Sequence, residues 1–103
     1  MKIEFSRSGG VAGIRLAVTL DTEKLPAKEA ERLRGLVAAA ALFDLAASLK
    51  SATPRPDQFQ YRVMVEDGAR KKQIEMDESS IPERTRPLLD CLVDLARTRQ
   101  KRS

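Results

Sequence analysis

The sequence predicts an α+β domain: a four-stranded antiparallel sheet with two main helices on one face, in the order ββαββα. Two pairs of alternating apolar runs, at residues 1–20 and 58–76, predict the strands. Apolar residues at helical spacing follow each pair and predict the helices. A chain of 103 residues has room for one hydrophobic core. We expect residues 1–96 to form a single domain and residues 97–103 a basic C-terminal tail.

The first two strands are predicted to form a hairpin. Ile3 and Phe5 share one face of the first strand, since side chains alternate across a strand. One face of the second strand is also apolar: Ile14, Leu16, Val18 and Leu20. The glycine-rich segment 8–13 between them predicts an unhindered loop at the end of the sheet, where it could enter a groove on another protein.

The first helix is predicted over residues 26–43. Pro26 suits a first helical turn, and these apolar residues recur at helical spacing: Ala30, Leu33, Leu36, Val37, Ala40 and Ala41. The pattern fades after residue 43, so we expect a long loop over residues 44–57 with at most one extra helical turn. If the helix runs back over the second strand, this loop begins beside the tip of the first hairpin.

A second hairpin and a second helix complete the chain. The third strand ends at Asp67-Gly68, which predicts a tight turn, and the basic start of the fourth strand suits an exposed sheet edge. We expect a short turn and then the last helix, capped near Thr85. Its apolar stripe consists of Leu88, Leu89, Leu92, Val93, Leu95 and Ala96.

Composition narrows the possible functions. No apolar run reaches the length of about 20 residues that spans a bilayer, and the chain starts without a signal-peptide pattern, so we expect a cytoplasmic protein. The sequence has no histidine and a single cysteine, Cys91, which is expected to be buried. Without the commonest metal ligand and general base, an enzyme or a resident cofactor is not expected. The net charge of +4 permits an acidic partner.

Five strings in order resemble the emfourin family. They are MKIEFSRSGGVAGI at residues 1–14, LFDL at 42–45, DQFQY at 57–61, VEDG at 65–68 and RPLLD at 86–90. Members of that family are small bacterial protein inhibitors of thermolysin-type (M4, protealysin-like) zinc metallopeptidases. The resemblance therefore implies an inhibitor whose partner is such a protease.

The chemistry of a zinc protease suggests which residues would bind it. A catalytic zinc of this kind keeps one coordination position open, and without histidine the natural donors here are carboxylates. We expect Gly10, Val11 and Ala12 at the hairpin tip to make apolar contacts while Asp57 or Asp44 approaches the zinc. Leu45 is a second candidate for a substrate side-chain pocket. In the simpler interpretation Asp44 caps a helix end and Asp57 initiates a turn.

Two alternatives remain open at this point. The opposite end of the sheet offers a rival site, in which Asp21 is the zinc donor and Leu25 fills the pocket. A different function, a small basic nucleic-acid-binding or adaptor domain, would use the basic tail and aromatic stacking by Phe59 and Tyr61. These two residues alternate in phase with Val63, which favours core packing over nucleic-acid binding.

Overall fold

The computed structural model describes residues 1–10, 15–50 and 58–101. Within these ranges the elements, in chain order, are β1 (Lys2–Gly9), β2 (Leu16–Asp21), α1 (Ala27–Ala40), β3 (Ser48–Leu49), β4 (Phe59–Asp67), β5 (Arg70–Asp77) and α2 (Arg86–Lys101). The strands form one sheet in the order β2-β1-β4-β5-β3.

The α+β class is confirmed, but the predicted sheet of four antiparallel strands in the order ββαββα is wrong in one detail. A fifth strand, β3, lies parallel to β5 at the sheet edge. The Glu75 N–H donates to the Ala47 carbonyl at 2.9 Å, and Leu49 lies opposite Met76. Two residues are too few to produce an alternating pattern, so the sequence predicted only a loop here.

Both predicted hairpins are present. β1 and β2 pair from Lys2 with Asp21 to Arg7 with Leu16. β4 and β5 pair up to Asp67 with Arg70, which leaves a two-residue turn. Gly68, the first turn residue, has a φ of 63°, and a positive φ at this position alone is typical of a type II′ turn.

One face of the sheet forms the core. Its buried side chains are Ile3, Phe5, Leu16, Val18, Leu20, Val63, Val65, Ile74 and Met76. α2 packs against β2 and α1 packs against α2, so both helices lie on this face, as expected. Met64 is an exception to this arrangement. Its register opposite Glu4 and Gln73 places it on the open face of the sheet, yet its side chain is only 6% exposed.

α1 ends earlier than predicted and in a different place. Ala41 adopts a left-handed conformation (φ 51°, ψ 45°), which stops the helix before the 3₁₀ turn Leu42–Asp44. Halfway along α1, Arg34 Nη2 lies 3.4 Å from Thr22 Oγ1, and the Thr22 N–H bonds to the Met1 carbonyl. α1 therefore passes the Met1 end of the sheet rather than running back toward the tip of the first hairpin.

α2 begins at Arg86, directly after Thr85, as predicted. Pro87 lies in the first turn, where a missing N–H is tolerated. Thr85 is fully buried, but its hydroxyl has no hydrogen-bond partner among the described residues and does not cap the helix. The helix continues to Lys101, so most of segment 97–103 is helical. No helix within the described ranges is long and apolar enough to cross a membrane.

Candidate functional site

The residues predicted to bind a partner divide between the two ends of the sheet. We call the end that carries Gly9, Gly10 and Gln58 the tip end, and the end that carries Met1 and the Asp67–Arg70 turn the turn end. β1 has eight residues and connects the two. At the usual rise per residue the ends lie about 24 Å apart.

At the tip end, two glycines let the backbone of the first hairpin lie directly on the start of β4. Gly9 and Gly10 have φ values of 87° and 77°, which side-chain-bearing residues rarely adopt. A Cβ on Gly9 would lie 2.6 Å from the Gln58 carbonyl oxygen, and one on Gly10 would lie 2.6 Å from Phe59 Cε1. The sequence is thus restricted to glycine at both positions by close approach as well as by dihedral angle.

A row of side chains in contact with one another adjoins the two glycines. The Arg7 guanidinium lies 4.1 Å from the Phe59 ring centroid, a cation–π contact. The Phe59 ring meets Tyr61 edge-on at 6.4 Å, and Tyr61 lies 6.3 Å from Phe5. The Phe59 N–H donates to Glu78 Oε1 at 3.1 Å. Sequence reasoning placed the aromatic rings in the core but missed Arg7 and Glu78, because neither belongs to a recognisable pattern.

The two loops predicted to act together meet at their described borders. The Gly10 N–H donates to the Gln58 carbonyl at 3.3 Å. Gly10 directly precedes Val11, and Gln58 directly follows Asp57. Val11, Ala12 and Asp57 themselves lie outside the described residues.

The open face of the sheet near the tip end carries a charged cluster. Glu75 pairs with Arg62 (Nη2 to Oε1, 2.7 Å) and with Lys50 (Nζ to Oε2, 3.3 Å). The hydrogen bond from Arg62 lowers the pKa of the Glu75 carboxyl most. The hydrogen bond from Lys50 and the positive charges of both side chains lower it further. An open groove of about 310 Å³ adjoins the cluster and reaches Ser8 and Arg15. Because Lys50 directly follows β3, the cluster fixes the chain where it leaves the sheet.

Asp44 and Leu45 lie at the turn end, so the structure does not bring them to Gly10. The exposed Asp44 closes the 3₁₀ turn, its N–H donating to the Ala41 carbonyl at 3.0 Å, and Leu45 is half-buried against the core. Beside them, the Arg70 guanidinium lies 4.2 Å from the Phe43 ring centroid. The expectation that this loop begins beside the hairpin tip is therefore wrong, because α1 ends at the other end of the sheet.

The rival pair also lies at the turn end. Asp21 Oδ1 accepts the Glu23 N–H at 3.0 Å and so caps the 3₁₀ turn Thr22–Lys24. Leu25 is half-buried and lines an open cleft beside Asp21. Three cationic side chains line the same cleft: Lys2, Lys24 and Arg99. This end can offer a carboxylate and an apolar group, but its carboxylate stands in a basic environment.

The remaining reactive groups have structural explanations. Cys91 is 7% exposed, as expected, and burial raises the pKa of its thiol. Asp77 is buried and accepts a hydrogen bond from the Ser79 hydroxyl at 3.1 Å. In the part of the chain that the structure describes, no three cysteine, aspartate or glutamate side chains come close enough to hold a metal ion.

Comparison with models of protein families finds one that matches residues 5–92, and its description is Emfourin. Neither the comparison with curated proteins nor that with solved structures found a match. The matched range runs from within β1 to within α2 and covers most of the chain.

Proposed function

Because this chain belongs to the Emfourin family, whose members act as protease inhibitors, we propose that it inhibits a thermolysin-type zinc metalloprotease through its tip end. The observation that carries the choice of end is the hydrogen bond from the Gly10 N–H to the Gln58 carbonyl. It joins the borders of two loops, one with apolar residues at its tip and one with a carboxylate.

Each part of the tip end has a separate task in this proposal. The Asp57 carboxylate donates an oxygen to the vacant coordination position of the protease zinc, as a hard anionic ligand can. Val11 and Ala12 fill the pocket that receives a substrate side chain, where burial of apolar surface stabilises the complex. Gly10 keeps the loop close to β4, so that both loops enter the cleft together.

Rigidity distinguishes an inhibitor from a substrate, and the tip end is well held. A loop that is already ordered before binding loses less conformational entropy when the complex forms. The Arg7–Phe59–Tyr61 row adjoins the glycines, and Glu78 holds the Phe59 backbone. These contacts hold the described borders of the two loops, at Gly10 and at Phe59.

The turn end is the competing location for the same activity. This end has two pairs of a carboxylate and an apolar side chain: Asp44 with Leu45, and Asp21 with Leu25. However, Asp21 already accepts the Glu23 N–H, and the Asp44 backbone closes a 3₁₀ turn. We assign the zinc contact to Asp57 and treat the turn-end pairs as the alternatives that the experiment must distinguish.

The test measures inhibition constants of Asp57→Ala, Asp44→Ala and Asp21→Ala against a thermolysin-type protease. Loss of a charged group that contacts the metal should weaken inhibition by more than about tenfold, which is about 1.4 kcal/mol. Only Asp57→Ala is expected to do so, and Glu66→Ala, an exposed acid on β4, serves as the control. Full inhibition by Asp57→Ala together with weak inhibition by either turn-end variant would assign the activity to the other end.

A second measurement isolates the metal contact. Affinity for the zinc-free protease depends on the apolar contacts but not on a zinc–carboxylate bond. The ratio between the affinities of the parent chain and Asp57→Ala should therefore be large with zinc present and close to one without it. An equal ratio in both states would contradict the zinc contact while leaving inhibition by the tip end intact.

The family match does not support the nucleic-acid-binding alternative. Phe59 and Tyr61 contact Arg7, Phe5 and one another, so both rings take part in side-chain packing. A salt titration of the affinity for a nucleic acid remains the direct check, because phosphate contacts give a steep salt dependence.

A further inference from the structure

The outer edge of β2 has free backbone groups. Among the described residues, β2 is the terminal strand of the sheet and pairs only with β1. The Thr22 N–H bonds to the Met1 carbonyl, and alternate residue pairs of an antiparallel ladder are hydrogen-bonded. The bonded pairs are therefore Ile3 with Leu20, Phe5 with Val18 and Arg7 with Leu16. It follows that the N–H and C=O groups of Ala17 and Thr19 point away from the sheet.

β2 also lacks the features that usually protect an edge strand. At the opposite edge, β3 covers one half of β5, and three basic residues occupy the other half: Arg70, Lys71 and Lys72. Lysines and arginines at such positions oppose further strand pairing. Between Leu16 and Leu20, β2 has no charged residue and no proline, and its exposed side chains are Ala17 and Thr19. This edge is open to another strand.

We propose that β2 pairs antiparallel with β2 of a second copy of the chain, about a twofold axis at Val18. In this register Ala17 lies opposite Thr19 of the second copy, and both contribute outward-pointing backbone groups. Arg15 lies opposite Asp21 of the second copy, on the same face of the sheet. The strand is thus complementary to itself in hydrogen bonding and in charge, as a closed twofold dimer requires.

The pairing also determines where the helices of the two copies lie, because α2 packs against β2 in each copy. The twofold axis runs perpendicular to the sheet. The helices of both copies therefore lie on the same side of one continuous sheet, to which each copy contributes five strands. Because the strands are antiparallel, the two tip ends point in opposite directions. The dimer is independent of the proposed inhibition.

Sedimentation over a range of concentrations tests the proposal on the full chain. The mass should rise from that of one 11.5 kDa chain to twice that value. Amide hydrogen exchange at Ala17 and Thr19 should slow as the dimer forms. A chain that stays monomeric at every concentration, or that protects these amides only when a protease is added, would overturn the proposal.

Single-site variants test the edge. Ala17→Lys places a charge on the pairing edge and should abolish the dimer, whereas Gln73→Lys makes the same change in charge on the open face of β5 and should leave it intact. Both positions are exposed, so neither change disturbs the core. A dimer that survives Ala17→Lys or is lost in Gln73→Lys would contradict pairing through β2.

Charge reversal tests the register. Arg15→Asp and Asp21→Arg each place like charges opposite one another in the homodimer and should weaken it. When the two variants are mixed, each contact again joins opposite charges, so the mixture should form a mixed dimer. Failure of the mixture to dimerise, with both variants folded by circular dichroism, would overturn the proposed register.

Discussion

Gly10 illustrates how one residue can be fixed by its surroundings. Its φ is 77°, and a Cβ added at this residue would lie 2.6 Å from Phe59 Cε1. We expect Gly10→Ala to lower the free energy of unfolding by about 1–3 kcal/mol, because the left-handed conformation and the close contact both disfavour alanine. Chemical denaturation measures this change. The same variant should inhibit the protease less well, since the tip must move off β4.

Gly35 provides the matched control for that substitution. It lies in the interior of α1, and an added Cβ meets no atom within 4 Å. Gly35→Ala should raise the free energy of unfolding by about 0.5–1 kcal/mol, because glycine is unfavourable in a helix. Inhibition should not change. An equal loss of stability in both variants would contradict the strain assigned to Gly10.

Glu75 makes one part of the stability depend on pH. Arg62 and Lys50 hold the pKa of its carboxyl below the ordinary value of 4.5. A group with a lowered pKa in the folded state contributes stability above its unfolded pKa and loses it as the pH falls through the folded value. Stability should therefore fall in acid below about pH 4.5, with loosening of the contact between β3 and β5.

Denaturation of Glu75→Gln across the acid range isolates this contribution. The variant should be less stable than the parent chain at neutral pH, and the difference should shrink as the pH falls. Glu66→Gln is the control, because the Glu66 carboxylate lies 4.0 Å from Lys71 in an exposed pair. This variant should change neither the stability at neutral pH nor its dependence on acid pH. A difference that persists unchanged in acid would show that the ion pairs do not act through the Glu75 charge.

At the scale of elements, β4 connects the core to the tip end. Three residues past its middle, Val63 to Val65, are buried, while its start carries the half-buried rings of Phe59 and Tyr61. Phe59→Leu keeps an apolar side chain but removes the contacts with Arg7 and Tyr61. We expect a loss of about 1 kcal/mol in stability, and weaker inhibition because the glycines lose their support.

Tyr61→Phe is the control for that change, since it keeps the ring in the same row. Its stability and its inhibition constant should stay close to those of the parent chain. If Phe59→Leu alters stability but leaves inhibition unchanged, the aromatic row is a structural feature without influence on the loop.

The regular elements could be predicted from the sequence because each has a periodic signal. Alternation identified β1, β2, β4 and β5, and the helical stripe identified α1 and α2. β3 could not be predicted because it has two residues and depends on a distant strand for its hydrogen bonds. The end of α1 was predicted too late in the chain. The reason is that Ala41, a good helix former, adopts a left-handed conformation that nothing in its side chain encodes.

The candidate site could be predicted only in part, for a related reason. The sequence identified the two glycines of the tip and the loop that precedes Gln58, since both carry turn-forming residues. It placed Asp44 at the wrong end, because that position depends on the direction in which α1 crosses the sheet. Arg7 was missed because its role is set by the register of β1 against β4, which opposes it to Tyr61.

At the scale of the whole molecule, the core and the tip end perform separate tasks. Leu92 is fully buried on α2, among the side chains that join both helices to the sheet. Leu92→Ala should cost about 2–5 kcal/mol and lower the Tm by at least about 8 °C, because the cavity is only partly filled by relaxation. A loss at the lower end of this range leaves a domain with an ordinary stability of about 5–15 kcal/mol mostly folded.

The inhibition constant of Leu92→Ala, measured well below its Tm and expressed per folded molecule, should match that of the parent chain. The reason is that the contacts that hold the tip, from Arg7 to Phe59 and from Gly10 to Gln58, do not involve α2. Thermal unfolding gives the folded fraction, and titration against the protease gives the constant. A weaker constant in a fully folded variant would mean that α2 controls the tip through the sheet, and that core and tip form one cooperative unit.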